Sequence, residues 1–267
     1  MSDHSSEQSV SDPQHQVETI VESARTPWRR TAEQSSSVAS FWVSTFPFFE
    51  STLFVAPPFV DRSACGAGEE TTGTFVASSV TLFDADGGVV NEFTVEVEPG
   101  RVGIVELDQF LGGCKLESGL RHAQMRVVSP PGTRQLCRLH GRAGAQIVEE
   151  SSRLTRQRSV FFPVRLAPQL EHVVCFINLG GEPAVAKCRL LVGNRTPEVF
   201  VEVPANGARL LSLTTEFGDF GAGGGGDGAQ AYVRLSTKGD AVLGAQVLQR
   251  VVARDERVDN DAYTLVS

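Results

Sequence analysis

The residues with the best claim to chemistry are Cys137 and His140 in "CRLH", with His122 a short way upstream. A thiol beside an imidazole can make a nucleophile or part of a zinc shell. Zinc needs at least three protein ligands, however, and on a strand residues three apart face opposite ways, so the pair is expected to do neither. "DADGG", Asp84 to Gly88, opens like a calcium loop, but the place of the EF-hand glutamate, twelfth in that pattern, is taken by Val95. A hairpin turn at Asp86-Gly87 accounts for those residues. The run "GDFGAGGGGDG", Gly218 to Gly228, lacks the Lys-Ser/Thr of a phosphate loop and reads as a connection between strands. His4, His15 and His172 lack the carboxylate pattern of an acid-base pair and are expected at the surface. No GxSxG or HExxH occurs in the sequence. The sequence therefore predicts no catalytic residue, no metal ligand and no cofactor, and the chain is not expected to be an enzyme.

Five cysteines, an odd number without CxxC, read as reduced and mostly buried thiols. One pairing is open. In "CFINLGGEPAVAKC", Cys175 and Cys188 are equidistant from the centre of the Gly181-Glu182 turn. A simple hairpin would set them directly opposite, with Cβ atoms about 4.5 to 5.5 Å apart, close to bridging range. Two reduced thiols, or strands belonging to different sheets, are the alternatives.

Net charge is −8, from 24 basic and 32 acidic residues, which opposes nonspecific attachment to phosphate backbones. No nucleic acid is expected as a partner. The exception is "RLTRQRSVFFPVR", with Arg153, Arg156, Arg158 and Arg165, read as a solvated linker with no aromatic stacking platform evident beside it.

The elements that would position any of these residues are short strands. "SVFFPVRL", "HVVCFINL", "AVAKCRLLV", "PEVFVEV", "ARLLSLT", "AQAYVRLS" and "AVLGAQVLQRV" alternate with the turn chemistry of "GGEP", "GNRT", "PANG" and "KGD". Val199, Val201 and Val203 share one face while Phe200 and Glu202 share the other. Upstream, Phe93, Val95 and Val97 face in and Thr94, Glu96 and Glu98 face out. Such alternation fits antiparallel sheets with one buried face.

The chain also repeats itself. "EFTVEVEPGRVGIVEL" from Glu92 and "EVFVEVPANGARLLSL" from Glu198 align without a gap at an offset of 106 residues (198 − 92), with five identities in sixteen. Ala123, Gln124 and Val127 return as Ala229, Gln230 and Val233 at the same offset. A period of this length matches one compact domain. The predicted fold is all-β: two tandem immunoglobulin-like antiparallel sandwiches from an internal duplication, over 41–150 and 158–267, with Val95 over Val201 and Val127 over Val233.

Residues 1–40 are expected to be a mostly disordered tail, polar at 1–11 and again at Ala32–Ser40. Within it Asp12 can cap and Pro13 suits a first turn, so one short amphipathic helix is predicted over 13–25. Val17, Ile20 and Val21 fall on its apolar face, and with Trp28 they are the expected docking residues for another subunit or protein. The chain carries neither an apolar run long enough for a membrane helix nor a basic, apolar leader, so membrane insertion is not expected and a cytoplasmic location is.

The run "HVVCFINLGGEPAVAKCRLLVGNRTPEVFVEVPANGARLLSL", followed by "AYVRLSTKGDAVLGAQVLQRVVARDERVDNDAY", resembles the small soluble sensory-rhodopsin transducer proteins of bacteria. The likeness covers about residues 160–263, in an apolar strand ending at an Asn-containing turn, the "VPANG" turn and the "GAQVLQR" strand. It implies a compact β-sandwich that forms homo-oligomers and works by protein contact without catalysis. The function expected is thus a non-catalytic interaction or assembly protein, a signal-transducer-like or scaffold component whose first partner is itself. The alternative is a small-ligand or carbohydrate-binding module. Phe41, Trp42, Phe46, Phe48, Phe49 and Phe54 discriminate: an aromatic platform would favour sugar, and burial would favour assembly.

Overall fold

The computed structural model describes residues 36–45, 49–58, 75–117, 120–141, 144–218, 229–251 and 262–266. The helix expected over 13–25, with Val17, Ile20, Val21 and Trp28, lies outside the described residues, as do Phe46 and Phe48. Gln34–Ser267 forms one compact unit.

Two sheets come from the first half of that unit. Sheet I holds β1 (Ser37–Ser44), β7 (Leu120–Ser129), β3 (Val76–Phe83) and β4 (Val89–Val97) in that order, with β6 (Leu116–Glu117) also on β7. Sheet II holds β5 (Gly103–Glu106), β2 (Glu50–Ala56), β8 (Arg134–Gly141) and β9 (Gly144–Val148). The two face each other across a core of Phe41, Val43, Leu53, Val80, Leu82, Met125, Cys137 and Leu139. Alternate side chains of each strand turn toward this core, and β1 and β2 are buried on their other face as well.

The second half repeats the arrangement. Sheet III holds β10 (Ser152–Leu154), β17 (Leu243–Val251), β12 (Leu170–Asn178) and β15 (Ala208–Ser212), with β18 (Ala262–Val266) also on β17. Sheet IV holds β11 (Val160–Leu166), β16 (Ala229–Lys238), β13 (Ala184–Leu191) and β14 (Glu198–Val203). Their shared core is built on Phe162, Val174, Phe176, Cys188, Leu190, Val233, Leu235 and Val247. One five-residue helix, α1 (Leu213–Phe217), follows β15, and the Ser212 side chain accepts a hydrogen bond from the Thr215 N–H to cap it. All pairings between the strands are antiparallel.

The strand orders coincide: β1-β7-β3-β4 reads onto β11-β16-β13-β14, and β5-β2-β8-β9 onto β15-β12-β17-β18. Val95 lies opposite Ser78 and Val201 opposite Ala186. The Ser78 hydroxyl accepts a hydrogen bond from Ser129 Oγ at 2.7 Å, one rung beyond the Ser79–Val128 pair, and Ala186 lies opposite Thr237.

Three further expectations change. Ser37–Ser40, placed in the polar tail, forms the first half of β1, because Val38 and Ala39 pair with Val128 and Val127. The junction after 150 is no open linker: β10 pairs with β17, Thr155 and Arg158 close a tight turn, and Arg153 binds Glu150 at 2.8 Å. Cys175 and Cys188 do not form a cross-strand pair. Cys175 sits in β12 of sheet III between Leu210 and Gln246, Cys188 in β13 of sheet IV between Val199 and Leu235, and both are free thiols. The "NLGGEP" connection steps from one sheet to the other, so it is an arch over a core and not a hairpin within a ladder.

Candidate functional site

Sheet III is buried on both faces. Val174 and Phe176 of β12 enter the second core, while Val173, Cys175 and Ile177 join the cluster that includes Trp42 and the first core. The outer face of sheet I thus packs on the outer face of sheet III, and β1 lies against β12 and β17. Along this seam the Trp42 indole N–H donates to His122 Nδ1 at 3.2 Å, and His122 Nε2 lies 2.8 Å from Glu117 Oε2. Nδ1 must be the acceptor, so Nε2 carries the proton and donates to the carboxylate. Glu117 Oε1 accepts from the Leu210 N–H of β15, tying the chain of bonds to the second half. Burial works against the Glu117 charge, but the hydrogen bonds from His122 and the Leu210 N–H, with Arg209 nearby, outweigh it and hold its pKa below the usual value.

At one end of the seam two turns interlock. Gly87 adopts φ +87° and Gly207 follows Asn206 at φ +55°. A Cβ on Gly87 would fall 1.9 Å from the Ala205 carbonyl oxygen, and one on Gly207 would fall 2.5 Å from that of Ala85, so only glycine permits the approach. The Ala208 N–H and the Arg209 guanidinium both donate to Ala85 O, and Arg209 also reaches Asp86 Oδ1. Arg126 crosses from β7 to Asn206 Oδ1 at 2.8 Å. The "DADGG" segment is the expected hairpin turn, with Asp84 Oδ1 accepting from the N–H groups of Asp86 and Gly88. Hydrogen bonds from Lys115 and then Arg209 lower the Asp86 pKa. Its carboxylates are thereby occupied in holding a turn and the seam.

The remaining chemical candidates separate. Cys137 is fully buried in the first core, while His140 points outward, 3.5 Å from Glu50; His122 belongs to the seam. Burial pushes the Cys137 and Cys188 thiols up to about 12, Cys114 to about 11, and Cys175 well above its usual value. These thiols stay protonated, unsuited to attack or metal binding. No group of three His, Cys, Asp or Glu side chains among the described residues could hold a metal ion. His172, expected at the surface, is buried: it lies on the face of β12 that also carries Val174 and Phe176, and desolvation lowers the imidazole pKa despite a hydrogen bond with Gln249 and the charge of Glu171.

What is exposed is the outer face of sheet IV. Phe161, Phe200 and Tyr232 are 53%, 52% and 52% exposed there. Across the sheet one rung reads Phe161, Arg234, Arg189, Glu198, and another reads Ser236, Lys187, Phe200. Arg234 lies over the Phe161 ring at 5.6 Å, and Lys187 and Lys238 over the Phe200 ring at 5.3 and 5.9 Å. Lys187 and Arg189 share Glu198, whose pKa their hydrogen bonds lower. Arg234 stands directly opposite Arg189, and its own hydrogen bonds go to Ser159 Oγ. Arg165 extends the same outward row of β11, so an aromatic platform does lie beside the basic cluster where none was evident. The alternation of "SVFFPVRL", "EVFVEV" and "AQAYVRLS" carries the signal, since it puts Phe161, Phe200 and Tyr232 on the outward positions.

No protein-family model matches the chain, and a search of curated proteins finds no significant match. No helix among the described residues is long and apolar enough to cross a membrane.

Proposed function

We propose that this chain is a non-catalytic interaction and assembly protein: two immunoglobulin-like sandwiches from one duplicated unit, locked together and presenting the outer face of sheet IV to a protein partner. The observation that carries it is the set of half-exposed rings, Phe161, Phe200 and Tyr232, under Arg234, Lys187 and Lys238. Tyrosine and arginine on a flat, rigid face are what protein interfaces enrich, since they offer contact area at low entropic cost. Phe41, Trp42, Phe49 and Phe54 are all buried, which by the criterion set above also favours assembly over sugar binding. The homo-oligomeric, transducer-like reading and the cytoplasmic setting agree with this role.

The test is sedimentation velocity of the full chain at micromolar concentration. A species larger than 28.7 kDa that shrinks on Tyr232→Ser or Phe200→Ser supports assembly. A monomer whose melting temperature one sugar raises would support the carbohydrate-binding alternative, which the same exposed rings favour. Residues 12–30, with Val17, Ile20, Val21 and Trp28, complete the proposal as a docking segment. Because β1 begins at Ser37, removing 1–33 should leave β-type circular dichroism intact while changing the oligomer size. An unchanged size would reduce the tail to a solubilising leader.

A further inference from the structure

We infer that two copies of this chain exchange their N-terminal segments, the acidic, apolar-striped stretch over 12–24 of each copy covering the outer face of sheet IV on the other. This rests on the assembly reading and names the occupant of its exposed face.

That face is open across its whole width. Every outward residue of β11, β16, β13 and β14 is exposed or half-buried, from Phe161, Pro163 and Arg165 at one edge to Glu198, Phe200 and Glu202 at the other. Five cations, Arg165, Lys187, Arg189, Arg234 and Lys238, stand on it against two carboxylates, Glu198 and Glu202, a positive surplus of three on a chain whose net charge is −8. Glu198 is shared between Lys187 and Arg189, while Arg234 bonds Ser159 and Lys238 lies over the Phe200 ring. Neither Arg234 nor Lys238 meets a carboxylate among the described residues. A second sheet IV would repel this face, and an apolar surface carrying negative charge fits it.

The chain itself supplies such a surface. Residues 1–24 hold Asp3, Glu7, Asp12, Glu18 and Glu22 and neither Lys nor Arg, so they account for five of the eight net negative charges. In the helix that the sequence predicts over 13–25, Val17, Ile20, Val21 and Ala24 stand at i, i+3, i+4 and i+7 as one apolar stripe, and Glu18 and Glu22 share one flank of it. So short a helix is marginal in water until its stripe is covered. Laid on sheet IV, the stripe meets the rings of Phe161, Phe200 and Tyr232, each about half exposed, and the two glutamates meet Arg234 and Lys238. Apolar burial supplies the affinity and charge selects the partner, since exposed ion pairs alone contribute little.

The layers decide whose segment it is. Sheet I packs on sheet III and sheet III on sheet IV. The chain enters sheet I at Ser37, so at about 10 Å per layer its entry point lies about 30 Å from a segment seated on the outer face of sheet IV. Residues 25–36 span about 40 Å when fully extended. The direct line runs through the protein, and a path around the edges of sheets III and IV is longer. A segment on its own sheet IV would therefore hold its connection near full extension, at an entropic cost. A second copy can bring its sheet IV to the segment and leave that connection slack. Reciprocal exchange uses the same contact twice and closes a dimer.

The experiment uses the full chain in four forms: wild type, a tail variant Glu18→Lys/Glu22→Lys, a face variant Arg234→Glu/Lys238→Glu, and a variant carrying all four changes. Each is checked for β-type circular dichroism and sedimented at micromolar concentration and low salt. Wild type is expected to be a dimer that weakens as salt rises. The tail and face variants are each expected to be monomers, a loss of about tenfold or more in affinity. The variant with all four changes exchanges the charges across the contact and should regain the dimer; if it stays monomeric, the proposal is overturned. A tail variant that dimerises as wild type does would give the face another occupant, which overturns the exchange and leaves the assembly reading intact. A face variant that does so removes sheet IV from the contact and overturns both, as does a wild-type monomer. Within such a monomer, trypsin cutting at Arg25 faster in the face variant than in wild type would place the segment on its own copy. A fluorescent oligothymidylate retained by wild type and lost in the face variant would reassign the face to an anionic strand.

Discussion

His172 shows how burial on the inner face of a strand changes a side chain's chemistry. On an exposed strand its imidazole would titrate near 6.5; in β12 desolvation lowers that pKa. Between the folded value and 6.5 the unfolded chain binds more protons, so stability rises with pH through that window and is lost as pH falls below 6.5. Glu117 acts in the same direction at lower pH, since its pKa lies below 4.5 and its contribution disappears as pH falls through the folded value. Thermal melts from pH 7.5 to 5 should therefore show a falling melting temperature, with a shallower fall in His172→Gln; equal slopes would remove His172 as the cause. His122 gives a second expectation. Its replacement by leucine leaves the Trp42 indole N–H and Glu117 Oε2 without their partner, at a cost of about 2 kcal/mol. Urea unfolding measures this, and His122→Asn, which can accept from Trp42, should recover part of it.

Turns and strands carried different amounts of legible signal. The alternation in "EVFVEV" and "FTVEV" places Val95, Val97 and Val203 in the cores as read, because one buried face leaves a period of two. The "DADGG" and "PANG" turns were legible as turns, yet nothing in their sequence says that they touch. Their contact depends on how whole sheets pack, which no local period encodes. For the same reason the Cys175–Cys188 symmetry misled: residues equidistant from a turn are paired in a hairpin but not in an arch between sheets. Glycine substitutions separate the two meanings of a turn glycine. Gly87→Ala and Gly100→Ala both place a side chain at positive φ, at φ +87° and +79°. At Gly100 the new methyl meets nothing within 4 Å, so the cost should be the backbone term alone, about 1 kcal/mol. At Gly87 it collides with Ala205 O, and the seam must part or the turn must distort, so the loss should exceed that of Gly100→Ala by about 2 kcal/mol or more. Equal losses in urea would show that the turn contact contributes nothing.

At the scale of the whole molecule, the internal seam decides whether two sheet pairs behave as two domains or one. Tandem domains joined only by a linker unfold separately, because each core is complete without its neighbour. Here the cores are not independent. Val173, Cys175 and Ile177 of β12 belong to the cluster of the first core, while Val174 and Phe176 of the same strand belong to the second. Losing the second sheet pair would strip the cover from Trp42, His122 and Gln124, each buried to within 1% of complete. Losing the first would expose the outer face of sheet III in return. Neither half can open without exposing surface that the other half buries, so heating should give a single transition in which the calorimetric and van't Hoff enthalpies agree. Two resolved transitions would show that the seam is too weak to couple the halves. Gly87→Ala supplies the contrast, since it acts at the interlocked turns and leaves both cores untouched. If those turns hold the seam, this variant should broaden the wild-type transition or split it in two. If it only lowers the melting temperature of a still-sharp transition, the coupling resides in the buried strand β12 and the turns merely align it.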